Sequence, residues 1–231
     1  MSCNFSYKHY EYICNLIASN FTTTFYEEVK PNNNKYEVIL RHDIDLGLKI
    51  ENAIKFAKIE NNYGLQSTYF IMVSSPFYNI FSPDESTILR EIISLNHRIG
   101  LHFDEKIYNK NDLSLYDKYI YNEAFLLEGF FNIEIKSVSM HRPSKEFISS
   151  NLKFDKLINT YDNFFINTFK YISDSRRHWR EGCCCNWLKD TNSSYNKYQI
   201  NIHPFWWTED DLDFEERFKK FIHDYLNFID F

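Results

Sequence analysis

Five apolar segments of this chain end in aspartate or histidine, and chemistry is expected at those ends. The segment LRHDID carries Arg41, His42, Asp43 and Asp45, and NHRIGLHFD carries His97, His102 and Asp104. A later segment stops at His141, followed by Arg142 and Pro143. Others reach Asp174 and, in INIHP, His203. Asp43 and Asp45 are two apart, so in an extended chain both point to the same side. Two carboxylates there can divide the work, one holding a cation and one taking a proton. The competing reading makes Asp45 a helix cap and Asp43 half of a buried ion pair with Arg41 or Arg142. Pro143 fixes a turn, and Arg142 can orient a carboxylate through paired hydrogen bonds. This Asp and His inventory suits a divalent cation that activates water, with Zn, Co, Mn and Ni as candidates. The chain has no G-x-S-x-G elbow, P-loop or G-x-G-x-x-G loop.

Alternating elements must position these ends. Residues 36–43 read as a buried strand, and Leu46, Ile50, Ala53, Ile54 and Ala57 mark a helical face that stops near Gly64. Residues 66–73 form a second strand. Ser82, Pro83 and Glu85 spell a capping box, and Ile88, Leu89, Ile92 and Ile93 give the stripe of the helix it starts. Further strands are expected at 97–103, 136–141, 169–173 and 198–203, with helices around 112–130 and from Leu212 onward. Repeated β-then-α units imply a parallel sheet in a single domain spanning 1–231. Periodicity does not choose between an open doubly wound sheet and a barrel. In both, function sits at the C-terminal ends of the strands.

The formal charge of −6 over 231 residues argues against nucleic acid as a partner. The local basic cluster of Arg176, Arg177, His178 and Arg180 is too short for a nucleic-acid tract. No run approaches the roughly 20 apolar residues of a membrane span, so no membrane insertion is expected. The N-terminal residues lack the apolar core of a signal peptide, and a cytoplasmic location is expected. Five cysteines without a pairing framework suggest reduced thiols. Cys183, Cys184 and Cys185 are adjacent, so their side chains diverge, which disfavours a metal site made of all three. Cys3 and Cys14 show no metal-type spacing.

In their order, from about Tyr36 to Trp207, these segments resemble the NodB-homology polysaccharide deacetylases. LRHDID resembles the family's TFDDG motif, STYFIM its second strand, and NHRIGLH the stretch written GHEIGNH. His141-Arg142-Pro143 resembles the Arg-Pro motif, Asp174 with Trp179 the Asp-and-Trp motif, and INIHP the last motif. The resemblance implies a distorted, incomplete (β/α) barrel and hydrolysis of an N-acyl amino sugar. It implies Asp43 as general base held by Arg142, Asp174 supporting Arg142, and His203 as general acid. His102 would be a metal ligand, and Asp45 takes the ligand role because Ile44 occupies the usual place. The family's second metal histidine falls at Lys106, which cannot ligate; His141 is the proposed replacement and Asp104 the weaker one. Zn is the first choice of cation. Arg176 and Arg180 beside Trp179, with Trp206 as a sugar platform, point to a small or nucleotide-linked amino sugar. The branch resembled is a cytoplasmic one associated with surface-polysaccharide biosynthesis. The alternative is a non-catalytic sugar-binding or scaffold protein that has lost its metal; a third reading is hydrolysis of a non-sugar amide.

Overall fold

The computed structural model describes residues 3–31, 34–46, 50–108, 112–190 and 193–229. Its strands are β1 (Thr22–Thr23), β2 (Glu37–Ile44), β3 (Thr68–Ile71), β4 (Arg98–Phe103), β5 (Ser137–Met140), β6 (Ile158–Asn159), β7 (Lys170–Ser173) and β8 (Lys197–Ile202). Its helices are α1 (Tyr7–Asn20), α2 (Glu51–Asn62), α3 (Pro83–Ser94), α4 (Tyr116–Phe131), α5 (Lys145–Ser150), α6 (Asn163–Thr168), α7 (Cys184–Lys189) and α8 (Phe214–Ile229).

The strands pair in parallel in the order β6-β5-β4-β3-β2-β8-β7, with β1 alongside β2. That is chain order taken round a ring and cut between β6 and β7. A doubly wound sheet would place later strands outward on both sides of the first; here β8 returns to lie directly against β2. Curvature is visible in Arg41 of β2, whose guanidinium bonds Ser139 of β5. In a flat sheet those strands would stand about 14 Å apart, beyond the reach of one side chain. The architecture is therefore an incomplete (β/α) barrel.

Alternation along the strands sends residues 39, 41 and 43 of β2 inward and their neighbours outward. The interior fills in layers. Tyr26, Ile39, Phe70, Phe165 and Phe169 make an apolar floor. Gly100 is required there, because a Cβ on it would lie 2.5 Å from the Phe70 ring. Above the floor, Arg41 sits 5.0 Å from the Phe70 centroid and reaches Thr160 at 3.1 Å. The upper layer is the mouth, formed by residues at the strands' C-terminal ends.

The outward face of β2 carries a second polar group. His42 Nε2 lies 2.5 Å from the Glu60 carboxylate of α2. Glu60 also accepts hydrogen bonds from Tyr10, from Ser67 at 2.6 Å and from Tyr69 at 2.9 Å. His97 completes the cluster, 3.0 Å from Ser67 Oγ.

Two expectations change. Ser82 caps α3 by accepting from the Glu85 amide, but the Glu85 carboxylate does not return the bond. It accepts instead from the Ile50 amide at 2.9 Å, capping the start of α2 at Glu51; residues 47–49, which the expected helical face also spans, lie outside the described residues. The amphipathic α1 was not anticipated: Tyr10, Ile13, Cys14 and Ile17 form its buried stripe, and Ser6 caps it.

Candidate active site

The C-terminal ends of β2, β4 and β5 bring Asp45, His102 and His141 together. His102 Nε2 is 2.8 Å from Asp45 Oδ1, His141 Nδ1 is 3.0 Å from the same oxygen, and the two ring nitrogens are 3.2 Å apart. Bonds of about 2.0–2.2 Å to a tetrahedral zinc separate ligand atoms by about 3.3–3.6 Å, close to this spacing. The donor chemistry also fits a cation. His102 Nδ1 faces the Ser139 carbonyl at 3.2 Å and must donate to it. Its Nε2 lone pair then faces a carboxylate oxygen, which is repulsive unless a proton or a cation lies between them. Burial works to raise the Asp45 pKa, yet the hydrogen bonds from His102 and His141 hold it well below the usual carboxylate range.

Beside this group, Asp43 is held by Arg41. The pair is bidentate, with Nη2 at 2.6 Å from Oδ2 and Nε at 3.2 Å from Oδ1, and Asn201 donates to Oδ2 at 3.0 Å. Burial opposes ionisation of Asp43, but Arg41 together with His102 and His203 outweighs it and the pKa falls below normal. Across the mouth, His203 Nδ1 bonds Asp174 Oδ1 at 2.7 Å, while Trp207 Nε1 donates to Asp174 Oδ2 at 2.7 Å. His203 Nε2 points toward the site, 3.8 Å from Asp45 Oδ2. Burial lowers the His203 pKa, but the bond and charge of Asp174 push it up to about 9. The mouth thus combines three convergent ligand atoms, an ionised carboxylate and an imidazolium.

Several predicted positions differ from expectation. Arg142 does not hold Asp43; its side chain is 57% exposed and touches Asp104 at 3.5 Å. Its backbone is left-handed (φ 55°), which turns the chain away after β5. Asp174 supports His203 rather than Arg142. Asp104 caps the short 3-10 turn after β4 through the Lys106 amide and stands outside the ligand group. Trp206 is 6% exposed and packs against Phe205, Phe214 and Phe218, so it offers no open face to a sugar. Arg176 and Arg180 are exposed, and Trp179 stacks on Phe5 at 6.2 Å. Sequence reasoning gave no site role to Asn201, took Trp207 with Trp206 only as core or a sugar platform rather than as a partner of Asp174, and weighed Arg41 only in the ion-pair reading. The i, i+2 spacing of Arg41 and Asp43 was the available signal.

No family model matches the sequence, and no curated protein matches it. Solved structures do. A family 4 carbohydrate esterase pseudoenzyme from Bacillus anthracis has a TM-score of 0.48 at 11% identity, covering 86% of this chain and 66% of its own. This chain thus spans about two thirds of that protein's length. The Streptococcus pyogenes deacetylase in complex with acetate gives 0.47 at 10% identity, over 96% of this chain and 89% of that one. A family 4 carbohydrate esterase from Bacillus anthracis gives 0.44 at 12%, over 94% and 85%. The structural neighbours are family 4 polysaccharide deacetylases and esterases.

Proposed function

We propose that the chain is a metal-dependent hydrolase that removes an N-acyl group, acetyl or formyl, from an amino sugar. The observation that carries this reading is the convergence of Asp45, His102 and His141 opposite a protonated His203. A divalent cation held there, zinc foremost and Co, Mn or Ni otherwise, would polarise the amide carbonyl and acidify water. Asp43 then takes a proton from the attacking water, and its clamp by Arg41 and Asn201 keeps it ionised and fixed in direction. His203 delivers a proton from Nε2 to the departing nitrogen while Asp174 holds Nδ1. Lys106 is exposed, and in this reading His141 supplies the ligand atom that Lys106 lacks.

The test is release of acetate or formate from a panel of N-acyl amino sugars, read alongside bound metal. His141→Ala is expected to lose the mouth cation and most turnover, whereas Asp104→Ala keeps both. An unchanged cation content in His141→Ala would remove the ligand assignment.

His203 gives a pH signature. Its raised pKa keeps the acid form through neutral pH, so activity falls only as pH rises toward about 9; a bound cation repels the imidazolium and moves that limb lower. Asp174→Asn removes the stabilising charge and is expected to bring the alkaline limb down further, toward the ordinary histidine value of about 6.5. A limb that stays in place would take the acid role from His203.

For substrate, Arg176 and Arg180 offer guanidinium groups suited to phosphate or carboxylate, which favours a nucleotide-linked or uronic amino sugar. This fits a cytoplasmic role in surface-polysaccharide biosynthesis. Arg180→Glu should raise KM with little change in kcat, and an unchanged KM would discard the anionic group.

A further inference from the structure

A second group of ligand atoms stands where α1 packs against α7, outside the barrel. Cys3 Sγ is 3.3 Å from Cys185 Sγ, and His9 Nε2 is 3.2 Å from Cys183 Sγ. All four atoms lie within 4.8 Å of one another. A tetrahedral zinc with bonds of about 2.3 Å to sulfur and about 2.0 Å to nitrogen needs edges of about 3.5–3.8 Å. The four atoms already bracket that size. Cys183 and Cys185 converge because they are two apart at the start of α7; Cys184, between them, is buried and outside the ligand group. The divergence of adjacent side chains therefore does not arise, and the other ligands come from a distant stretch of sequence.

The surroundings suit a bound dication. Three thiolates and a neutral imidazole around Zn²⁺ leave one net negative charge. Lys189 lies over the Tyr12 ring at 5.3 Å and within electrostatic reach of Cys3 and Cys185. His9 is 1% exposed, its ring parallel to Trp207 at 6.1 Å and 6°, which fixes its direction. Thiolate sulfur selects zinc over magnesium, calcium or manganese. Four protein ligands leave no open position for water, as in structural rather than catalytic sites.

We propose that Cys3, His9, Cys183 and Cys185 form a structural zinc site with three thiolates and one imidazole, separate from the barrel mouth. It ties the segment leading into α1 to the loop before α7. Its reach extends inward, because His9 stacks on Trp207, Trp207 holds Asp174, and Asp174 holds His203. The site stands whether or not the mouth is catalytic.

The experiment is metal content and cobalt spectroscopy on the full chain. Two cations per chain are expected, one lost in His102→Ala/His141→Ala and the other in Cys3→Ser/Cys185→Ser. The cobalt-loaded protein should show a near-ultraviolet thiolate-to-cobalt band that survives the histidine changes and vanishes with the cysteine changes. The ligands at the mouth contain no sulfur and cannot produce it. If the cysteine variant fails to fold, titrating the unaltered protein with a mercurial decides: release of a zinc equivalent as the thiols react supports the site. Thiols that react without zinc release, absence of the band, or a Cys3–Cys185 disulfide in protein purified without oxygen would each overturn it.

Discussion

Asp43→Asn is expected to reduce turnover by about 10²–10⁴-fold and also to destabilise the protein by about 3–5 kcal/mol. Loss of activity alone would follow from any essential base; the stability loss follows from Arg41. Arg41 is 0% exposed, and Asp43 is its ion-pair partner. Neutralising Asp43 leaves a guanidinium buried beneath the mouth with only neutral acceptors in Ser139, Thr160 and Tyr26. The two effects separate in the double variant. Arg41→Met with Asp43→Asn removes the stranded charge, so much of the stability should return while turnover stays lost. Urea unfolding of the four proteins of this cycle measures it. If Asp43→Asn unfolds at the same urea concentration as the unaltered protein, the pair contributes nothing to the fold.

The second large effect lies on the opposite face of β2. Glu60→Gln is expected to cost about 3 kcal/mol at neutral pH, because the carboxylate serves His42, Tyr10, Ser67 and Tyr69 in a buried site. Burial pushes its pKa up, but the neighbouring histidines and hydroxyls prevail and bring it down to about 2. A depressed carboxylate pKa means that the folded state binds the proton less readily than the unfolded chain, where the value is about 4.3. The stabilisation is therefore full above the unfolded value and fades as pH falls toward 2. The stability gap between the unaltered protein and Glu60→Gln should narrow over that window. A gap that stays constant from pH 6 to pH 3 would mean that Glu60 carries no folding-linked charge.

The strand sequence was legible because each central strand is a buried run flanked by turn residues, and because parallel units put function at one edge. That rule alone collected Asp43, Asp45, His102, His141 and His203. Closure into a barrel was not legible, since it depends on β8 pairing with β2 across 160 residues of separation and not on any local period. The partners inside the site were harder still. Arg142 and Arg41 are both one residue from a histidine at a strand end; strand parity places Arg41 inside, and a left-handed turn carries Arg142 out. Trp206 and Trp207 look alike in sequence, yet one packs under α8 and the other bonds Asp174. The cysteine and histidine cluster escaped because its halves are about 180 positions apart, and such pairing has no signature in spacing.

The cut in the ring between β6 and β7 has a consequence for how copies of this chain behave toward each other. An unclosed barrel keeps two rims of backbone amides and carbonyls, the usual template on which a strand from another molecule adds. Here one rim is two residues long, the other four, and α6 spans the interval with Phe165 turned into the floor. Lys170 opens the longer rim with an ammonium paired to Glu181. Rims this brief give an incoming strand too few bonds to hold it, so the fold gains the freedom of an open barrel while offering little purchase for edge-to-edge assembly.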